Sequence, residues 1–371
     1  MKKPATLLRS FSSRLSTRLA PSPSPAVAPW PPVRSAYDRW LAAELDELRA
    51  DPLAPCTSAA WLSRALTLAV AVQRRLVVAA SADAAASSAG AAGIDRKTID
   101  ECADDADELL DACAGIRDRL GELRSYATAT RVALHWLEGG HGQAAARRAA
   151  AAFAECDAVE RRCGVGELTK CLSNLRKLSE RALLSARQQM PAGAGEELSG
   201  ARAVAVLAVG ALGAALAFRP RRGVFGLATG VAGGGGKAAA QWECALQEVQ
   251  RQVREEYERR RKEGVPCMAE LDAMAAAARA VRCAVAGGRR CPETVLAAAR
   301  RRCDELEETV AAFEEKVGEL HRELIAVRIV LFERARGHEV LRLDCTPWQC
   351  TPAHSDASRP RFSWSRRSDV N

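Results

Sequence analysis

Aromatic side chains make up only 5% of this 371-residue chain, and β-branched residues are sparse beside Ala, Leu, Arg and Glu. Strands need β-branched and aromatic residues to fill a pleated surface, whereas the abundant residues here are strong helix formers. The composition therefore predicts an all-α protein. The thirteen cysteines include no Cys-x-x-Cys pair and no His at zinc-finger spacing. Cys102, Cys113, Cys156, Cys163 and Cys303 fall instead on packed helical stripes as small hydrophobes, a usage that suits a reducing compartment.

Chemistry-bearing motifs are missing too. The chain has no Gly-x-Ser-x-Gly elbow and no pair of carboxylates set for acid–base work. Gly236-Lys237 invites a phosphate-loop reading, but Val231 stands where Gly is needed and Ala238 where Ser or Thr is needed. His135 and His141 flank Gly139 and Gly140 with no carboxylate or cysteine framing them, so they read as packed or exposed rather than as ligands. Asp104, Asp105, Asp107 and Glu108 gather near a helix start, where the helix dipole accounts for them. These absences predict a protein that is not an enzyme and uses no cofactor or metal.

The net charge of +8 lies at the two ends. Residues 1–37 carry six basic groups and no acid, and residues 353–371 carry four arginines against Asp356 and Asp369. The middle is balanced, with charges interspersed along helices as on a solvated face. That pattern excludes a basic groove interleaved with aromatics, and with it a nucleic-acid partner.

What the chain does contain is heptad periodicity. Between residues 293 and 336, Leu296, Ala299, Cys303, Leu306, Val310, Phe313, Val317, Leu320, Leu324, Val327 and Leu331 alternate steps of three and four. From Ile99 a second stripe runs through Cys102, Ala106, Leu109, Cys113, Ile116, Leu120, Leu123, Ala127, Thr130, Leu134 and Leu137. Such alternation holds one side of a helix against a partner helix. The two seams are expected to clasp each other within one chain, forming an elongated bundle of long helices. A homodimer that pairs each seam between copies is the alternative.

Five regions follow in order. Residues 1–34 form a basic, Ser- and Pro-rich arm that lacks the apolar core of a secretory signal and resembles either an organellar leader or a disordered segment. Residues 35–190 read as an N-terminal helical half: a short helix after Ser35 that Pro52 and Pro55 end, a second capped by Thr57 or Ser58, a connector at 81–93, the long seam helix capped by Asp95 and ended by Gly139 and Gly140, and two more near 142–163 and 167–189. Phe153, Cys156, Leu168, Cys171, Leu175 and Leu178 are expected to point inward. Residues 191–237 hold a break at 191–200, an apolar segment and a Gly-rich hinge. Residues 238–342 form the C-terminal half, and 343–371 a disordered basic tail.

The apolar segment, Ala203 to Phe218, is sixteen residues without a polar side chain, led by Ala203, Val204, Leu207, Val209, Leu212, Leu216 and Phe218. As a helix it would reach about 24 Å, short of a hydrocarbon core of about 30 Å. It is thus a candidate for either membrane contact or the inside of the bundle.

Several stretches together resemble the plant BYPASS family and its ROH-type relatives. They are Trp61 to Leu66 (WLSRAL), Asp107 to Cys113 (DELLDAC), Ala133 to Glu138 (ALHWLE), the apolar segment, the charged rod from Gln247 to Gly264, and the final heptad helix. The chain departs from the family pattern over 139–200, 223–236 and both ends. The resemblance implies a non-enzymatic regulator of plant development that restrains a root-derived mobile signal and carries a membrane-spanning segment. For the ROH-type relatives it implies binding to an exocyst subunit. The expected location is a membrane, on its cytoplasmic face at the endoplasmic reticulum or plasma membrane. The alternative is the cytosol, or an organelle reached by the basic leader.

Overall fold

The described residues of the computed structural model are 35–50, 54–86, 96–139, 142–163, 167–187, 194–219, 240–287 and 291–344. They form nine α-helices and no strand: α1 (Ala36–Ala50), α2 (Ala59–Ala86), α3 (Arg96–Gly139), α4 (Gln143–Arg162), α5 (Glu167–Arg187), α6 (Ala194–Ala215), α7 (Gln241–Glu263), α8 (Ala269–Ala286) and α9 (Glu293–Asp344). The leader, the proline-rich stretch, the Gly-rich hinge with Lys237 and the C-terminal tail lie outside these residues, as do Asp95, Gly140 and His141.

The two heptad seams meet. α3 has 44 residues and α9 has 52, or about 66 Å and 78 Å of helix at 1.5 Å per residue, and theirs is the most extensive helix pairing in the fold. Their polar margins show that they run antiparallel. Arg328 pairs with Asp107 at 2.9 Å, Arg124 with Glu314 at 2.5 Å, and Arg131 with Asp304 and Glu307 at 2.7 Å each, while Arg300 meets Glu138. Between these margins Leu109, Ile116 and Leu123 of α3 and Leu306, Val310, Phe313, Leu320 and Leu324 of α9 are each 2% exposed or less. Burying each such leucine, isoleucine, valine or phenylalanine contributes about 1.5–3 kcal/mol relative to leaving it in water. The exposed rim pairs, by contrast, contribute at most about 1 kcal/mol each.

The remaining helices close around this pair. α2 packs on both α6 and α9, α4 and α5 lie on α3, and α8 lies on α9. Inward positions match the periodicity: Phe153, Cys156, Leu175 and Leu178 are buried and Cys171 is half-buried, while the side chain of Leu168 lies outside the described set. Local stop and start signals also appear. Ser35 Oγ accepts from the Asp38 N–H at 3.0 Å, and Ser58 Oγ accepts from the Trp61 N–H at 3.2 Å, the usual N-cap service. Glu270 of α8 adds a cap from afar, its Oε1 accepting the Ala59 N–H at 2.9 Å. Gly264 ends α7 with φ of 72°, the left-handed conformation in which a side chain would be strained.

Several boundaries differ from the sequence expectation. α2 runs on to Ala86, into the presumed connector, because Ala tolerates helix as readily as it fills a linker. The break at 191–200 is shorter than expected, since α6 begins at Ala194 with Glu196 and Glu197 in its first turn, where the helix dipole favours acids. Conversely, the apolar segment is not helical throughout: α6 stops at Ala215 and leaves Leu216, Ala217 and Phe218 in the turn that follows.

Candidate functional site: the buried helix α6 and its polar anchors

α6 is the fold's odd member because it has no wet face. Its stretch Gly195–Ala215 is long and apolar enough to cross a membrane by length and composition, yet residues 198–215 are buried among its neighbours and only Glu196 and Glu197 are partly exposed. Ala203, Val204, Leu207, Val209, Leu212, Leu216 and Phe218 are each 5% exposed or less. A helix that is apolar all round belongs in a protein core or in lipid, and composition alone does not separate the two.

Polar groups of the neighbouring helices reach in to hold it. Gln73 of α2 donates from Nε2 to the Ala201 carbonyl at 2.9 Å. Tyr37 of α1 donates to the Glu197 carbonyl at 3.3 Å, and Tyr257 of α7 places its hydroxyl 3.2 Å from the Ala211 carbonyl and 3.3 Å from that of Cys56. Gly200 makes the α1 contact possible. A β-carbon there would overlap the Tyr37 hydroxyl and come within 3.0 Å of Leu41 Cδ2.

The one buried charge of α6 among the described residues is Arg202. Its guanidinium lies 2.5 Å from Asp105 Oδ2 of α3, with the arginine 8% and the aspartate 3% exposed. Arg181 of α5 takes the other carboxylate oxygen at 2.8 Å and reaches Glu108 at 3.2 Å. Asp105 is therefore a buried carboxylate bound by two arginines from two helices. Burial pushes its pKa up, against the opposing pull of Arg202 and then Arg181. The two cations thus do not fully repay the lost hydration. This corrects the reading of the acidic cluster as a dipole effect: Asp105 is sequestered, Asp107 pairs with α9, and Glu108 pairs with α5. Sequence reasoning missed Asp105 because its partners lie 76 and 97 positions away. The available hint was its position next to the seam residue Ala106.

Beside this pair a cavity of about 20 Å³ opens between α2, α3, α6 and α9, lined by Gln73, Arg202 and apolar side chains such as Leu109 and Leu324. Its size admits about one water and no larger ligand. The thiols nearby and elsewhere in the core are held protonated. Cys102 is pushed up to about 11, and Cys113 and Cys303 to about 12, in each case chiefly by burial. A thiol so raised is a poor nucleophile and a poor metal ligand at neutral pH. Among the described residues no three His, Cys, Asp or Glu side chains converge as a metal-binding group. The predicted site residues thus fall into two sets: the seam residues share the α3–α9 interface, and the apolar-segment residues lie in the core against α2, α3 and α5.

Set against protein-family models, curated proteins and solved structures, the chain matches none.

Proposed function

We propose that this protein is a non-enzymatic helical regulator of the BYPASS type, acting at a membrane through protein–protein contacts, in developmental signalling that restrains a root-derived mobile signal. The order of segments along the chain supports the family part of this reading. The observation that carries the membrane part is α6, whose stretch Gly195–Ala215 is long and apolar enough to cross a membrane. A helix of that kind keeps its apolar surface from water equally well in a bundle or in lipid, because acyl chains are as apolar as leucine. The test is fractionation of the full chain carrying a C-terminal fluorescent fusion. Carbonate-resistant recovery with membranes at the endoplasmic reticulum or plasma membrane is expected, and complete recovery in the soluble fraction refutes the membrane part.

A second reading, a soluble adaptor for an exocyst subunit, is favoured by one feature of α7. Its outer edge shows Arg251, Glu255, Arg259, Lys262 and Glu263 in a row, a solvated charged ridge. Most of these charges already pair along the helix, as Arg251 does with Glu248 at 2.7 Å and Glu255 at 2.9 Å. A partner would therefore have to exchange these pairs for its own. Pull-down by an exocyst subunit, lost on Arg251→Glu/Arg259→Glu with helicity intact, is the outcome this reading expects. Capture that survives the double substitution refutes α7 as the docking ridge.

A further inference from the structure

The outward side of α9 changes character along its length. From Glu308 its exposed positions recur every seven residues as Glu315 and Arg322, and beyond Arg322 the same line turns apolar at Ile325, Ile329 and Phe332, in steps of three and four. These three are 40%, 54% and 57% exposed, and they make up most of the five large apolar side chains left exposed among the described residues. They form a second stripe on α9, opposite the seam that α3 consumes, because the two sets lie about half a turn apart around the helix. A single apolar side chain on a surface needs no explanation, but three on one stripe mark a contact surface.

The charges beside the stripe indicate what fits it. Arg328, on the α3 margin, pairs with Asp107, and Glu319 and Glu323, on the α2 margin, pair with Arg74. Arg322 and Glu333 are exposed, and among the described residues no ion pair joins either to another side chain. Eleven positions separate them, about three turns or 16 Å, so both stand on one flank of the stripe with Ile325 and Ile329 between. Like flanks face each other in an antiparallel helix pair. A two-fold axis midway therefore sets Arg322 of each copy against Glu333 of the other, and Ile325 against Ile329.

We propose that this face is a self-association site, on which a second copy of the chain lays its own α9 antiparallel about that axis. A second copy is the occupant whose charges match, because the same two residues supply both missing partners. The face is small beside the roughly 800 Å² per partner of a standard interface, so the dimer is a weak one. Dilute protein stays monomeric, and α9 stays folded on dissociation because α3 still holds its seam. The proposal goes beyond the reading above and is independent of whether α6 meets a membrane.

Sedimentation velocity of the full-length chain at rising concentration, up to its solubility limit, is expected to show reversible monomer–dimer exchange. Arg322→Glu brings acids together at both ends of the contact and is expected to weaken dimerisation by about tenfold, since two symmetry-related pairs change at once. Arg322→Glu/Glu333→Arg exchanges the charges and is expected to restore it, which a site built for a foreign helix or for lipid would not do. Ile329→Lys, close to the axis, is expected to abolish the dimer. All these positions are exposed, so circular dichroism and the melting temperature are expected to stay unchanged and control for folding. A monomer at every concentration overturns the proposal and leaves the face to another protein or to the chain's own residues 345–371. A dimer indifferent to Ile329→Lys forms elsewhere, and one weakened by Arg322→Glu but not restored by the exchange is not the antiparallel pair. Either result overturns the proposal as well.

Discussion

Arg202→Met tests the physics of the core directly. The substitution retains an unbranched side chain but removes the guanidinium 2.5 Å from Asp105, leaving a carboxylate that is 3% exposed and held only by Arg181. Breaking a buried pair from one side costs about 3–5 kcal/mol, and the surviving Arg181 contact places the expected loss near the lower figure. Removing both charges in Asp105→Leu/Arg202→Met leaves no orphan, so the double variant should lie between wild-type stability and about 1–4 kcal/mol above it. A urea titration followed by circular dichroism would read both, and the double-mutant cycle isolates the coupling. Acidity supplies an internal check. The folded-state pKa of Asp105 is raised by burial, so its titration adds stability below the ordinary carboxylate range and loses it as pH rises through the raised value. Without Arg202 that pKa climbs further, so the deficit of Arg202→Met should be largest at neutral pH and shrink on acidification. A deficit below about 1 kcal/mol that ignores pH, or a double variant worse than either single one, would refute the reasoning.

Three further outcomes are expected. Gly200→Ala should lower stability by about 1–3 kcal/mol through overpacking against Tyr37, and trimming that side chain with Tyr37→Ala should make the glycine change nearly neutral in a thermal-melt cycle. Leu320→Ala and Leu109→Ala should each cost about 2–5 kcal/mol in chemical denaturation, and light scattering should show a monomer, because both seams are consumed within one chain; a dimer whose dissociation unfolds α9 would contradict this. Gly264→Ala should cost about 1 kcal/mol at the α7 C-terminus with no gain elsewhere, since its φ of 72° strains any side chain while nothing crowds the site; an unchanged melting temperature would count against the cap.

Much of the architecture was legible along the chain, for a local reason. A heptad stripe is a property of one helix, so Leu306, Val310, Phe313 and Leu320 declared a partner surface before any partner was known, and the composition left no material for strands. The identity of that partner was also anticipated, since α3 carries a second stripe of comparable length, but its direction was not. Helix ends were less readable where Ala-rich sequence suits helix and linker alike, as at the end of α2. The polar site was hardly readable at all, because Asp105 sits among solvated acids in sequence and only folding separates it from them.

Sequence by itself determined the helical class, the two packing stripes and the exceptional apolarity of residues 203–218, because each is set by neighbours within a few turns. Tertiary structure alone decided that the stripes run antiparallel, that α6 lies inside the bundle with Arg202 neutralised by Asp105, and that α1 and α7 cover it. Those choices depend on residues from 97 to more than 204 positions apart. No local period encodes which distant charge or hydroxyl will arrive, so that information exists only once the chain has folded.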